Sequence, residues 1–217
     1  MTEPILFDVD ARGVATITLN RPERLNALNM ACRDLLWTYL DACRDMPDVS
    51  LVLFRGNGAA FCAGADISEF GTAPSVMDAR RARHDRDVWA RLLTLPQVTV
   101  ARMHGYCFGA GLELPLCCDY RVAGAGARLA LPEVTLAYIP SACGTQTLPR
   151  IAPPGVAAHL IISGEAIAAR AALRWGIVDR VAADDELDGA VNEEIERLLG
   201  LDRGAATARR RAMAASL

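Results

Sequence analysis

The chain is most constrained by a glycine-rich turn that joins a strand-like segment to an apolar one. Val98–Met103 is rich in β-branched residues and predicts a strand. Gly105, Gly109 and Gly111 follow it and predict a tight turn that another group can approach closely. The apolar residues from Leu112 to Cys118 predict a short buried helix. The expected order is therefore strand, turn and buried helix.

Ala110 and two nearby glutamates suggest the chemistry of this stretch. Ala110 lies at the predicted helix start, where backbone N–H groups have no acceptor inside the helix. Such groups stabilise an oxyanion or a polarised carbonyl oxygen. Glu113 lies in the first turn, and Pro132 starts a turn or helix that fixes the direction of Glu133. This pattern predicts proton transfer beside an activated carbonyl.

Five segments carry a pattern that extends well beyond this turn. They are LNRPERLNAL (19–28), AFCAGADISEF (60–70), GYCFGAGLELPLCCDYRVAGAGARLALPEV (105–134), IPSACGTQTLPR (139–150) and SGEAIAARAALRWGIVDRV (163–181). In this order and spacing they resemble the crotonase superfamily, also called the enoyl-CoA hydratase/isomerase family. The resemblance covers residues 5 to 185. It implies an α/β fold, a spiral of β-β-α units with a mostly parallel sheet.

The resemblance also implies a set of site residues. The backbone N–H groups of Ala63 and Ala110 are expected to form an oxyanion hole, and Glu113 and Glu133 to be catalytic. The residues expected to bind CoA or substrate are Arg24, Asn26, Ala27, Ala65, Asp66, Ile67, Gly109, Pro132 and Ser141. No separate cofactor is expected, because coenzyme A is part of an acyl-CoA thioester substrate. No metal site is expected either.

The resemblance favours one reaction over the others, the addition of water across a 2-enoyl-CoA. An ionised Glu113 would activate water for attack at C3, and a protonated Glu133 would deliver a proton at C2. Double-bond isomerisation is the alternative, because one carboxylate can move a proton between C2 and C4. Decarboxylation, thioester hydrolysis and a non-catalytic acyl-CoA-binding partner remain open, since one fold hosts many reactions.

Composition limits the cellular compartment and the kinds of binding partner that are expected for this protein. The chain has 217 residues and a net charge of −3, and it has no long basic run that would indicate nucleic acid. All 23 basic residues are arginine, which excludes Schiff-base chemistry on a lysine of this chain. The 7 cysteines show no disulfide framework and predict free thiols in the cytoplasm. No apolar run approaches the ~20 residues that span a membrane. A homo-oligomer, trimer or hexamer, is implied by the resemblance.

The extent of the resemblance divides the chain into two parts. Residues 1–185 are expected to form the core with the CoA site, and residues 186–217 a C-terminal helical segment that is shorter than usual for the family. Asp78–Leu95 is predicted as one long charged helix and Ser141–Arg150 as a helix after Pro140. His104 is predicted to be structural, bonded to the backbone.

Overall fold

The fold is organised around a six-stranded sheet that is almost entirely parallel. The computed structural model describes residues 3–214, without the side chains of residues 79, 81–83, 203, 209, 211, 213 and 214. The strands of this sheet, in spatial order, are β1 (Ile5–Val9), β2 (Val14–Leu19), β3 (Leu51–Gly56), β4 (Val98–Met103), β6 (Tyr120–Gly124) and β9 (Arg180–Ala182). The β1–β2 hairpin is antiparallel, and the four other pairings are parallel. The predicted α/β class with a mostly parallel sheet is confirmed.

A smaller sheet supports the glycine-rich turn. Its strands are β5 (Tyr106–Phe108), β7 (Arg128–Ala130) and β8 (Ile167–Ala168). β5 pairs with β7 in parallel, and β7 pairs with β8 in antiparallel. The turn after β4 therefore leads directly into a second sheet, which fixes its direction relative to the main one.

Helices connect the strands and cover the main sheet. They are α1 (Met30–Asp45), α2 (Val76–His84), α3 (Val88–Leu93), α4 (Ala110–Leu116), α5 (Gly144–Ile151), α6 (Pro154–Ser163), α7 (Ala169–Arg174), α8 (Leu187–Leu199) and α9 (Arg203–Ala214). Short 3-10 turns lie at Pro22–Arg24, Ile67–Glu69 and Pro132–Leu136. Among residues 3–214, every helix is too short or too polar to cross a membrane.

The apolar core lies on both faces of the main sheet. Along β3, Val52 and Phe54 contribute to the larger cluster, which includes α1 and α4. Leu51 and Leu53 point the other way and pack in the cluster that includes α8. This alternation is the two-residue period of a strand that is buried on both faces.

Two predicted element boundaries are wrong. The single helix predicted at Asp78–Leu95 is divided into α2 and α3, because the Asp87 side chain accepts hydrogen bonds from the backbone N–H of Trp89 and Ala90 and starts a new helix. The helix predicted from Ser141 begins at Gly144, because Cys143 has a φ of 78° that no right-handed helix contains. The predicted division at residue 185 stays a prediction.

Close backbone contacts join the loop after β3 to the glycine-rich turn. The Cys62 N–H donates to Tyr106 O, and the Phe108 N–H donates to Cys62 O, both at 3.0 Å. A Cβ on Gly111 would lie 2.2 Å from Cys62 O, which is inside van der Waals contact. Glycine is therefore required at position 111 so that α4 can begin against this loop.

Substitution of Gly111 tests this contact. We expect Gly111→Ala to lower the free energy of unfolding by about 1–3 kcal/mol or more, because a backbone carbonyl would have to move. Gly189→Ala is the matched control: Gly189 lies in α8 with no atom within 4 Å of an added Cβ. It should gain about 0.5–1 kcal/mol of stability. Urea denaturation measures both, and equal stability of the two variants would contradict the contact.

Candidate active site

The N-terminus of α4 presents an unpaired backbone donor. Gly109 has a φ of 53° and its N–H donates to Ala130 O at 2.9 Å, which anchors the turn on β7. Its carbonyl accepts from the N–H groups of Leu112 and Glu113. Within the described residues the Ala110 N–H has no acceptor, as expected for the first residue of a helix. The position of Ala110 therefore fits its predicted role as an oxyanion donor.

The structure does not support Ala63 as the second donor. The Ala63 N–H donates to Leu25 O at 2.9 Å and is consumed by the loop that precedes α1. A donor that is already paired cannot also bind a substrate oxygen without losing its present acceptor. The prediction that Ala63 supplies one donor is therefore wrong.

Ala65, two residues later, has the geometry that Ala63 lacks. The Leu28 N–H donates to Gly64 O at 2.8 Å, and the Asp66 N–H donates to Leu28 O at 2.9 Å. In such a parallel bridge the central residue, Ala65, turns its own N–H away from the partner. That N–H has no acceptor in the part of the chain that the structure describes, and Ala65 is exposed.

The segment that carries Ala65 is close to the turn that carries Ala110. A Cβ on Gly64 would lie 3.0 Å from Phe108 O and 3.8 Å from the Cα of Gly109. The resemblance implied Ala65 only as a residue that contacts CoA or substrate, and it implied the donor role for Ala63, two positions earlier. The missed signal is the pairing of residue 63 with residue 25, which lies far away in the chain.

Glu113 is buried, and the N-terminus of α5 holds its carboxylate. Its side chain is 2% exposed, and Oε1 accepts from the N–H of Ala142 at 2.9 Å and of Gly144 at 2.7 Å. Hydrogen bonds of this kind favour the charged form of a carboxyl group. A Cβ on Gly144 would lie 2.9 Å from the same oxygen, so a glycine is needed there. Sequence reasoning missed Ala142.

Glu133 occupies the opposite kind of environment. It follows Pro132 at the start of a 3-10 turn, as predicted, and its Oε2 is buried with no hydrogen-bond partner among the described residues. Burial raises the pKa of Glu133 above its ordinary value of 4.5. A Cβ on Gly109 would lie 3.0 Å from its Oε1. The carboxyl group therefore lies against the same turn that carries Ala110.

Asn26 and Asp66 stabilise the loops that surround the site. Asn26 is 1% exposed, and its Nδ2 donates to Asn57 O and Ala60 O, both at 2.8 Å. Asp66 forms an ion pair with Arg21 at 2.9 Å and accepts from Ser68. Hydrogen bonds from Ser68 and Arg21 lower the pKa of Asp66 despite its partial burial. Sequence reasoning missed Arg21.

The other predicted contact residues lie around this region with different exposure. Arg24, Ile67 and Ser141 are exposed, whereas Ala27 and Pro132 are half-buried. Their predicted contacts with CoA or substrate stay predictions.

His104 is structural, as predicted. Its Nε2 lies 2.9 Å from Gly58 O, and its Nδ1 lies 3.0 Å from Arg102. Burial lowers the pKa of His104, which favours the neutral ring. No group of three side chains suited to a metal ion was found among the described residues.

Comparison with known proteins identifies the family. The family model described as enoyl-CoA hydratase/isomerase matches residues 10–217. The chain belongs to this family. It is 39% identical over 175 residues to the 2,3-dehydroadipyl-CoA hydratase of Escherichia coli, covering 79% of this chain and 67% of that one. It is 35% identical over 202 residues to the crotonyl-CoA hydratase of Syntrophomonas wolfei, covering 91% and 76%.

A solved structure agrees with the fold. The enoyl-CoA hydratase of Bacillus anthracis superposes with a TM-score of 0.90 at 33% identity, covering 97% of this chain and 82% of that one. The crotonase-like fold predicted for this family member is therefore confirmed, and the chain is similar to enzymes.

The two N–H donors to Glu113 can be tested through stability. Ala142→Pro removes one donor, whereas Ala142→Gly retains it. We expect the free energy of unfolding of the proline variant to be about 1.5–3 kcal/mol lower than that of the glycine variant, because a hydrogen bond to a buried charge is lost. In a Glu113→Gln background the difference should fall to about 0.5–1.5 kcal/mol, since the acceptor is neutral. Urea denaturation gives all four values, and an unchanged difference would contradict an ionised Glu113.

Proposed function

We propose that this protein is an enoyl-CoA hydratase that adds water across the double bond of a 2-enoyl-CoA thioester. The observation that carries the proposal is the contrast between two carboxyl groups beside one helix N-terminus. Glu113 is buried with two N–H donors on one oxygen, whereas Glu133 has a buried oxygen without a partner among the described residues. Hydration needs a base and an acid at the same site, and such environments favour opposite protonation states.

The thioester oxygen is expected to bind between the N–H groups of Ala65 and Ala110. Both groups lack acceptors in residues 3–214, and their segments contact each other through Gly64 and Phe108. Negative charge develops on this oxygen when water attacks C3. Preorganised donors stabilise that charge, and one such donor typically contributes about 2.7–4 kcal/mol to the barrier. A cleft for CoA beside these segments is part of the proposal.

The two glutamates then divide the proton transfers. The carboxylate of Glu113, held by Ala142 and Gly144, takes a proton from water as it attacks C3. Glu133 delivers its proton to C2, and the raised pKa of this group keeps the proton available nearer to neutral pH. The names of the two hydratase relatives agree with this reaction class.

Isomerisation is the second candidate, and the position of Glu133 favours it. Its carboxyl group alone could move a proton between C2 and C4 of an enoyl chain, because the partnerless Oε2 accepts no hydrogen bond from the described residues. Decarboxylation, thioester hydrolysis and non-catalytic acyl-CoA binding use the same oxyanion donors. The substitutions below separate these reactions.

We also propose a cytoplasmic homo-oligomer, a trimer or hexamer. The cysteines of the described chain are all free thiols, which fits a reducing compartment. Exposed apolar side chains lie close together near the site, where Phe70 contacts Tyr138 at 5.8 Å between ring centroids and Leu136 and Ile139 are also exposed. Such a patch is typical of a surface that another subunit covers.

The decisive experiment is hydration of crotonyl-CoA by wild type, Glu113→Gln and Glu133→Gln. Glutamine retains the size of the side chain but cannot transfer the proton. Each variant should lose about 10²- to 10⁴-fold in kcat, because general acid and base groups contribute this much. Glu165→Gln is the control, since its side chain is 70% exposed, and it should retain full activity.

The pattern of loss discriminates the candidate reactions. Loss of hydration in Glu113→Gln with retention of 3-enoyl to 2-enoyl isomerisation would reassign the protein as an isomerase. Full activity of both glutamine variants would contradict the proposed roles. Binding without turnover of any acyl-CoA by wild type would indicate the non-catalytic alternative.

A further inference from the structure

Two thiols outside the proposed chemistry lie within bonding reach of each other. The Sγ atoms of Cys117 and Cys143 are 2.9 Å apart, and both residues are free cysteines. A disulfide has an S–S distance of about 2.05 Å, so the sulfurs need to approach by only about 0.9 Å. Cys117 follows the last residue of α4 and Cys143 precedes the first residue of α5. A bond between them would join the ends of two packed helices.

The pair is built into the surroundings of Glu113. Cys117 lies four residues after Glu113, so the two occupy one side of the α4 turn. Cys143 lies between Ala142 and Gly144, the two residues whose N–H groups hold the Glu113 carboxylate. The backbone at Cys143 has a positive φ, a conformation that few residues other than glycine adopt.

We propose that Cys117 and Cys143 form a reversible intrachain disulfide, a modification site for small thiol oxidants of the peroxide class. One peroxide molecule oxidises the Cys143 thiolate to a sulfenic acid and is reduced, its departing hydroxide leaving as water after protonation. The Cys117 sulfur then attacks the Cys143 sulfur, the S–S bond forms, and the sulfenic hydroxyl leaves with the Cys117 proton as a second water. A dithiol reductant restores both thiols.

The different accessibility of the two thiols sets this order. Cys143 is half-buried, whereas Cys117 is 4% exposed, so an external oxidant meets Cys143 first. The hydrogen bond with Cys143, together with burial, holds the pKa of Cys117 well above its ordinary value. Cys117 is therefore a poor first target, and its proximity makes it the resolving thiol.

The bond would change the site that it encloses. The disulfide would close a loop of residues 118–142, which contains Glu133. It would tie the C-terminal end of this loop, at Cys143, to α4, the helix that carries Glu113. We expect contraction of the S–S distance to pull Cys143 toward α4 and to displace the N–H donors of Glu113 on either side of it. This consequence rests on the proposed function. A shift near 1 Å in catalytic geometry can cost about 10²-fold in rate, and we expect kcat for hydration to fall at least about tenfold.

Peptide mapping of the full chain tests the bond without any assay of activity. Trypsin cleaves after arginine, and it places Cys117 in peptide 103–121 and Cys143 in peptide 129–150. After treatment with hydrogen peroxide and alkylation of the remaining thiols, these peptides should be recovered joined. Their mass should be 2 Da less than the sum of the two peptides with Cys107 and Cys118 alkylated. The melting temperature should rise by about 5–10 °C, and dithiothreitol should reverse both changes.

Two variants make the mapping specific. Cys143→Gly removes one thiol at a backbone conformation that glycine adopts freely, and the joined peptide should disappear. Cys118→Ala removes the neighbouring thiol, whose Sγ donates to Leu114 O, and the joined peptide should persist. Absence of the joined peptide in wild type, its persistence in Cys143→Gly, or a bond through Cys118 or Cys107 would overturn the proposal.

The activity measurement separates this inference from the proposed function. A reversible bond in a protein that hydrates no enoyl-CoA would retain the modification site and reject the hydratase. If the bond forms in wild type but the oxidised protein has the same kcat as the reduced protein, the proposed coupling to Glu113 is overturned. The same ratio should stay at one in Cys143→Gly, because no bond can form there.

Discussion

The site depends on one backbone contact, the packing of the α4 N-terminus against the loop at Cys62. Hydrogen bonds from Cys62 to Tyr106 and from Phe108 to Cys62 join the two segments, and the lack of a side chain at Gly111 allows the helix to begin there. A backbone so paired cannot shift without breaking several interactions together. The N–H groups of Ala65 and Ala110 therefore have no acceptor within residues 3–214, and that of Ala110 lies at the positive end of α4.

The same contact places two chemically equal side chains in unequal surroundings. Glu113 extends from α4 toward the N-terminus of α5, where two N–H groups stabilise its charge. Glu133 lies against Gly109, where one of its oxygens is buried with no donor in the described part of the chain. Each unit of pKa difference between them corresponds to about 1.36 kcal/mol of differential interaction. Backbone N–H donors at Glu113 and burial at Glu133 therefore create the contrast.

Local sequence patterns predicted the elements but not the long-range pairings. The strand at Val98–Met103, the turn, the start of α4 and the role of Pro132 follow from residue type and spacing, and the structure agrees. The family resemblance implied Ala63 as the second donor, and this was wrong because the Ala63 N–H is bonded to Leu25, in a segment far away in sequence. Ala142 and the proximity of Cys117 to Cys143 were missed for the same reason. These contacts depend on how helices and loops pack together, and the hydrophobic periodicity of the sequence does not predict that packing.

The central claim is that these surroundings hold Glu113 and Glu133 in opposite protonation states. Carbon-13 NMR of protein labelled at the glutamate carboxyl carbon measures this directly, with Glu113→Gln and Glu133→Gln used to assign the two signals. The account predicts that Glu133 titrates at higher pH than the exposed glutamates, because burial raises its pKa. It predicts a pH range in which Glu113, held by two N–H donors, is ionised while Glu133 retains its proton. Titration of Glu133 together with the exposed glutamates, or a protonated Glu113 beside an ionised Glu133, would contradict the account.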